Sequence, residues 1–549
     1  MMKRNLKYMA LVLSGSLLLG GCGAGNKQTD KVEFPFPENT IPAQTSNTED
    51  NSAEKESAEK NPGNNKSEQD ESDTTQGAEN NGSSALGEII EGSAPEISIV
   101  EDKKVWSTED KSTQLLEVRK SIVTIENSGF DALQSALQER WNGITGDYQE
   151  NIDMAREDYN GRAEEDKMFF GGYTITEQPQ LARSDSSVIS FRVFHGDYSG
   201  GAHDNYVYGG VTFDVKTGKE LQLVDILNNP EGFYDEAAKY LANRLEEDYN
   251  DMLFADYKDY VAGTFGEDRE VNWYFNAAGI AISYSPYEIG PYAAGTIEVT
   301  LPYSEFSQYI KEEYWAPHSS VVAKVPLNNN ISGLIGESGT LKLEAVKNEY
   351  ELYEVTVVSE NASEEIGSFG YFGDAYVIRR EDGRSFLLTS SDYMSDDFVM
   401  NVYEVTNGGL QKCDELSGAQ FGSSGIGTNK VSCTVRLNVL GSYWGEMGYQ
   451  LDSNGQLSQV DEIFNIREGS SMTVMKELPV VLEGAESESK VAVGRKLNIT
   501  GTDNNGTAYF RLDNGEKGKI LYTRDEETNQ IFIDGESENA YFDMVPYAG

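Results

Sequence analysis

The sequence predicts a β-rich multidomain protein: an α+β domain, with helices on an antiparallel sheet, then all-β regions, preceded by a disordered linker. Three observations carry this. Residues 27–95 are too polar to bury a core, helical spacing of apolar residues is confined to stretches before residue 315, and past His318 alternating apolar and polar runs follow one another at tight turns. At 549 residues the chain is also too long for a single core.

The first element is a leader. Lys3, Arg4 and Lys7 precede the apolar run "YMALVLSGSLLLGGCG", which is shorter than a membrane span, so residues 1–22 read as a signal peptide. Its end, Leu19-Gly20-Gly21-Cys22, resembles the lipobox of bacterial lipoproteins. That resemblance implies cleavage before Cys22, lipidation of its sulfur and anchoring on the outer face of the cytoplasmic membrane. Residues 23–95 follow as an acidic linker, with no aromatic residue between Phe36 and Trp106. Such a segment cannot offset its chain entropy by burial.

Structure is expected from Glu96. "EISIVEDKKVW" and "EVRKSIVTIE" alternate as strands, and 128–159 places Phe130, Leu133, Leu137, Trp141, Ile144 and Tyr148 at spacings of three and four, the face of one long helix. Strands are expected at "GGYTITEQPQL", "SSVISFRVFHGD" and "NYVYGGVTFDVKTGK", then an amphipathic helix at "EGFYDEAAKYLANRLEEDY". A hairpin through Ala277-Ala278-Gly279 and a strand running into a short helix at "GTIEVTLPYSEFSQYI" complete an α+β domain over 96–320. Residues 330–485 read as an all-β meander with Asp-Gly and Asn-Gly turns, and 486–549 resemble a small SH3-like barrel.

Composition narrows the chemistry. The chain has 92 Asp plus Glu against 44 Lys plus Arg, a formal charge of −48. A surface of this sign repels phosphate, which excludes nucleic acid as a partner and favours a cationic one. Only Cys413 and Cys433 remain after Cys22. Their separation allows a disulfide between neighbouring strands or two reduced thiols, and neither has the spacing of a redox or zinc motif.

The stretch "FHGDYSGGAHDNYVYGGVTFD" gathers two of the three histidines, His195 and His203, around a Gly-Gly turn. A metal site there would lack its remaining ligands. "VTFDVKTG" superficially resembles the Thr-Phe-Asp-Asp motif of polysaccharide deacetylases, but Val215 stands where that family has its metal-binding Asp, and the paired histidines are missing. No G-x-S-x-G elbow supports a Ser-His-Asp hydrolase, and with 92 acids a carboxylate pair cannot be singled out. No cofactor, metal or catalytic residue is therefore expected; the alternatives left open are a cell-wall-glycan-modifying enzyme with an unrecognised carboxylate site and a passive assembly lipoprotein.

Two segments carry a family likeness. "DYSGGAHDNYVYGGVTFDVKTGKELQLVDIL" and "AAGIAISYSPYEIGPYAAGTIEVTLPYSEF" resemble the extracytoplasmic domain shared by the anti-sigma factor RsiV and the peptidoglycan deacetylase PdaC. The resemblance implies a non-enzymatic envelope domain that binds or senses, with a cationic protein of the lysozyme kind or cell-wall glycan as partner. It carries over to the turn residues Tyr198, Ser199 and His203 and to the loop residues Tyr287, Glu288, Pro291 and Tyr292 as contact candidates.

Overall fold

Period-two alternation becomes strand pairing at the first described element. The computed structural model describes residues 89–266, 271–335, 339–359, 361–394, 397–406, 409–467, 469–485 and 487–547; the leader, Cys22 and residues 23–88 of the linker lie outside them. β1 (Ile97–Ser107) and β2 (Gln114–Ile125) form an antiparallel hairpin. β3 (Tyr173–Asp185) joins β2 in parallel, and the two helices between them, α1 (Asp131–Arg140) and α2 (Gln149–Gly161), make the crossover that parallel pairing needs. β4 (Val188–Tyr198) and β5 (Asn205–Asp214) extend the sheet as a meander.

The single long helix expected over 128–159 is two. Its apolar spacing continues through Trp141 and Ile144, but the intervening peptide groups bond to the sheet instead: Val123 N–H donates to Trp141 C=O at 3.2 Å and Gly143 N–H to Ser121 C=O at 3.1 Å. Gly143 has a φ of 82°, which no helix interior accommodates. Leu133, Leu137 and Trp141 enter the main core, whereas Ile144, Tyr148 and Ile152 pack on Leu115 and Leu116 in a smaller one.

A second, three-stranded sheet consists of β6 (Trp273–Phe275), β7 (Gly279–Tyr284) and β8 (Ile297–Pro302). Helix α3 (Pro230–Tyr249) covers it. Its start is coded locally: Asn229 caps it by accepting from Gly232 N–H at 3.2 Å, and Pro230 supplies the first helical residue. Phe233, Ala237, Leu241 and Leu245, at intervals of four, are its buried stripe. Each large side chain so buried stabilises by about 1.5–3 kcal/mol.

The boundary expected between 320 and 330 is crossed by hydrogen bonds. β9 (Val321–Lys324) inserts between β3 and Tyr371–Arg379, with Ala323 opposite both Arg183 and Val377, so one ten-stranded sheet runs from residue 97 to residue 417. Strands beyond it form a four-stranded sheet over 330–369 and an eleven-stranded sheet from Ala419 onward. The latter continues through Phe464–Ile466 into Lys496–Thr502, Thr507–Leu512 and Lys517–Leu521, so those strands of 486–549 share a sheet with 419–466 and do not stand apart as a barrel. The fold class holds: helices lie before residue 315, apart from one 3₁₀ turn near the C-terminus, and antiparallel β structure dominates the rest. No helix among the described residues is long and apolar enough to cross a membrane.

Candidate functional site

The hairpin tip and the proline-rich loop, far apart in sequence, form one surface. β4 ends at Tyr198 and β5 starts at Asn205; the reversal between them uses Gly200 and Gly201, with φ of 91° and 121°. The Tyr198 hydroxyl closes the turn by donating to Gly201 C=O at 3.2 Å. Ser199 and His203 are exposed, and His203 Nδ1 lies 2.8 Å from the Asp204 carbonyl oxygen.

The loop is built on Ile289, which is buried, and on Glu288, which braces it from within. The Glu288 carboxylate accepts from Ser285 N–H at 2.6 Å and from the Tyr260 hydroxyl at 3.0 Å. Tyr287 takes a φ of 71° and projects outward, 59 % exposed. Exposed Pro291 then leads into a single 3₁₀ turn, Tyr292–Ala294.

Tyr292 joins the two parts. Its ring stacks on His203 with centroids 4.1 Å apart and an interplanar angle of 27°, and its hydroxyl donates to Asp204 at 2.9 Å. Partial desolvation and then that carboxylate push the phenol up to about 12. Tyr287 lies 5.8 Å from the Tyr292 ring and Tyr206 lies 5.6 Å from it edge-on. Each such pair contributes about 0.5–1.5 kcal/mol beyond area burial. The patch continues down the hairpin through Phe194 and Tyr208, 5.3 Å apart, to Arg192, which sits 3.4 Å over the Tyr208 ring and pairs with Glu298 at 2.8 Å.

The approach of loop to tip depends on Gly210. A Cβ there would lie 1.7 Å from the Trp273 carbonyl oxygen, so only hydrogen lets β5 and β6 meet. Ser190 completes the contact by accepting from Phe275 N–H at 2.9 Å. Of the residues singled out in the sequence, Tyr198, Ser199, His203, Tyr287, Pro291 and Tyr292 come to this surface, while Glu288 holds the loop together. Phe194, Tyr206 and Tyr208 went unrecognised, although aromatic residues two apart on a strand share a face.

The two histidines do not converge. His195 stands opposite Glu177, whose carboxylate accepts from Lys120 at 3.0 Å, Arg140 at 3.1 Å and Trp141 Nε1 at 3.2 Å. Burial opposes ionisation of Glu177, but Lys120, Arg140 and His195 outweigh it and hold its carboxyl below the usual range. Among the described residues no cluster of His, Cys, Asp and Glu is arranged to hold a metal ion. Cys413 and Cys433 are unbonded; of the two arrangements the sequence allowed, the structure has free thiols, on strands of different sheets.

The third histidine lies in a buried polar cluster that the sequence did not announce. His318 Nδ1 shares a hydrogen bond with Ser186 Oγ at 2.9 Å, and its Nε2 lies 3.6 Å from Asp185. Asp185 pairs with Arg183 at 2.6 Å and accepts from Ser187 and Val188 N–H groups at 2.7 and 2.9 Å. Arg183 also donates to the Tyr303 hydroxyl and to Tyr314 C=O. The carboxylate is committed to these donors and His318 is fully buried, while Ser186 is half-buried, so the trio of Ser186, His318 and Asp185 braces the β3–β4 turn against residue 318.

Comparison with known proteins places a domain within this region. Residues 225–304 match the family described as a protein of unknown function, DUF3298, so the match includes the loop but starts after the tip. The crystal structure of a DUF3298 family member from Bacteroides fragilis is similar at 18% identity and a TM-score of 0.30, covering 40% of this chain and 94% of that one. A DUF3298 family protein from Pseudomonas aeruginosa is similar at 17% identity and a TM-score of 0.27, covering 40% and 95%. No curated protein matches the chain.

Proposed function

We propose that this chain is a lipid-anchored, non-enzymatic binding or sensing protein on the outer face of a bacterial membrane, and that the tip-loop surface is its contact with a cationic protein of the lysozyme kind. The observation that carries the reading is the stacking of His203 on Tyr292, which makes one exposed aromatic surface from segments whose family pattern had suggested contact residues. Rigid tyrosines are efficient anchors, because they cover area with little rotamer entropy to lose. The acidic balance of the chain supports it too, since long-range attraction accelerates encounter with a basic partner. The likeness to the RsiV and PdaC extracytoplasmic domain, and the lipobox ending at Cys22, supply the envelope setting.

The test is retention of lysozyme by the mature chain at low and at high salt. Binding at low ionic strength that weakens with salt, and that Tyr292→Ala or Tyr287→Ala reduces at least tenfold, is the expected outcome. No retention at low ionic strength removes the lysozyme partner. Cys22→Ala should release the protein from the membrane fraction, and unchanged membrane association would remove the anchor.

A further inference from the structure

A cleft of about 390 Å³ opens on the outer face of β3–β5, beside the strand Ala419–Ile426, within the size range of small-molecule sites. It shares no residue with His203, Tyr287 or Tyr292. One wall is the hairpin face, with Phe194 and Tyr208; the other carries Phe421 and the small residues Gly422, Ser423 and Gly425. Tyr376 forms the floor, edge-on to Phe421 at 5.0 Å and tied to Leu181 C=O through its hydroxyl at 3.1 Å. Phe194, Tyr208 and Phe421 are half-buried, so part of each ring remains open to a ligand.

Three of the charged groups around the cleft are neutralised in place, and a fourth, the Glu101 carboxylate, accepts from the Gln178 amide at 3.2 Å. Arg192 pairs with Glu298 at 2.8 Å, Asp374 with Lys324 at 2.7 Å and Arg467 with Glu446 at 2.7 Å. An anionic ligand would have to compete with partners already in position and would face the Glu101 carboxylate, so the cleft offers it no gain. What the lining supplies is aromatic area together with amides and hydroxyls oriented by their neighbours: Gln178 donates to Glu101, Gln180 bridges Asp374 and Lys324, and Ser423 donates to Glu446, each group keeping further donor or acceptor capacity for a ligand hydroxyl.

We propose that this cleft binds an uncharged oligosaccharide. A pyranose ring presents an apolar face of C–H groups, which lies against aromatic rings, and a rim of hydroxyls that donate and accept at once. The site goes beyond the protein-binding surface at the tip and stands or falls separately from it.

The test is calorimetric titration of the mature chain with three probes of equal length: a β-1,4-linked N-acetylglucosamine tetramer, a glucose tetramer and a fully carboxylated uronic acid tetramer. Saturable binding of at least one neutral tetramer, with at least tenfold weaker binding of the charged one, is expected. Ser423→Trp, which fills the mouth from an exposed position, and Phe421→Leu, which keeps apolar volume without the ring, should each lower affinity at least tenfold, while Tyr292→Ala changes it less than twofold. No saturable binding of either neutral tetramer at millimolar concentration overturns the proposal. So does binding that Ser423→Trp leaves unchanged, or preference for the charged tetramer. Loss of lysozyme retention in Tyr292→Ala with sugar binding intact separates this site from the tip surface.

Discussion

Replacing Arg183 by Met should destabilise the protein by about 3–5 kcal/mol near neutral pH, the cost of leaving one partner of a buried ion pair uncompensated. The structure points to this range. Arg183 and Asp185 have side chains 1% and 0% exposed, 2.6 Å apart, and Arg183 also satisfies Tyr303 and the Tyr314 carbonyl at the junction of the two sheets. Burial alone would raise the Asp185 carboxyl; Arg183, His318 and the two backbone N–H donors outweigh it and hold it below its usual value. Without Arg183 that carboxyl should rise, so the deficit should shrink as pH falls towards 4 and protonation relieves the stranded charge. Urea unfolding followed by tryptophan fluorescence measures this, since Trp273 and Trp315 belong to the core beside the pair. The double variant Arg183→Met with Asp185→Asn, whose neutral amide oxygen can still accept from Ser187 and Val188, should recover part of the loss. A single variant within 1 kcal/mol of wild type, or a double variant no better than the single, would refute the reasoning.

Burial pushes the His318 imidazole below its usual value against the pull of Asp185. The unfolded chain therefore binds its proton first, stability is full above about pH 6.5 and declines as pH falls below it, and His318→Asn should flatten that slope in urea titrations at pH 5 to 7. Gly210→Ala meets the Trp273 backbone and should cost about 3 kcal/mol or more, whereas Gly209→Ala, whose nearest neighbour is Asn272 Oδ1 at 3.9 Å, should be tolerated much better; equal midpoints in thermal melts would contradict the close approach. Cys433 is fully buried and its thiol is pushed up by that burial, so a thiol reagent should label it only on unfolding, ahead of which Cys413 reacts; two unreactive cysteines in denaturant without reductant would mean a disulfide.

Local patterns were legible wherever the chain settles its own conformation. Asn229-Pro230 and the four-residue spacing from Phe233 to Leu245 mark α3 without help from elsewhere, and the alternation in "SSVISFRVFHGD" marks β4. The same reasoning failed at Trp141–Gly143, because the apolar period of a helix persists there while the peptide groups are claimed by β2. It also failed for Arg183, Asp185 and His318: the ion pair is two residues apart on β3, but nothing marks it as buried until Tyr303, Tyr314 and His318, more than a hundred residues on, are placed beside it. The tip and the loop were each readable as turn chemistry, but Tyr206 gains its role only from the packing that brings Tyr292 against it, and Phe194 through its contact with Tyr206.

The sequence by itself determined the acidic character, the strand and helix content, and the glycine and proline turns that become the tip and the loop. These are properties of short windows, where side-chain period and backbone preference act directly. Only the tertiary structure decided that β9 would tie the two halves into one sheet, that His203 would stack on Tyr292, and that the β3–β5 face would form a cleft with Phe421. Strand edges offer the same N–H and C=O groups whatever their sequence, so the choice of neighbour is made by how buried faces pack across the whole molecule.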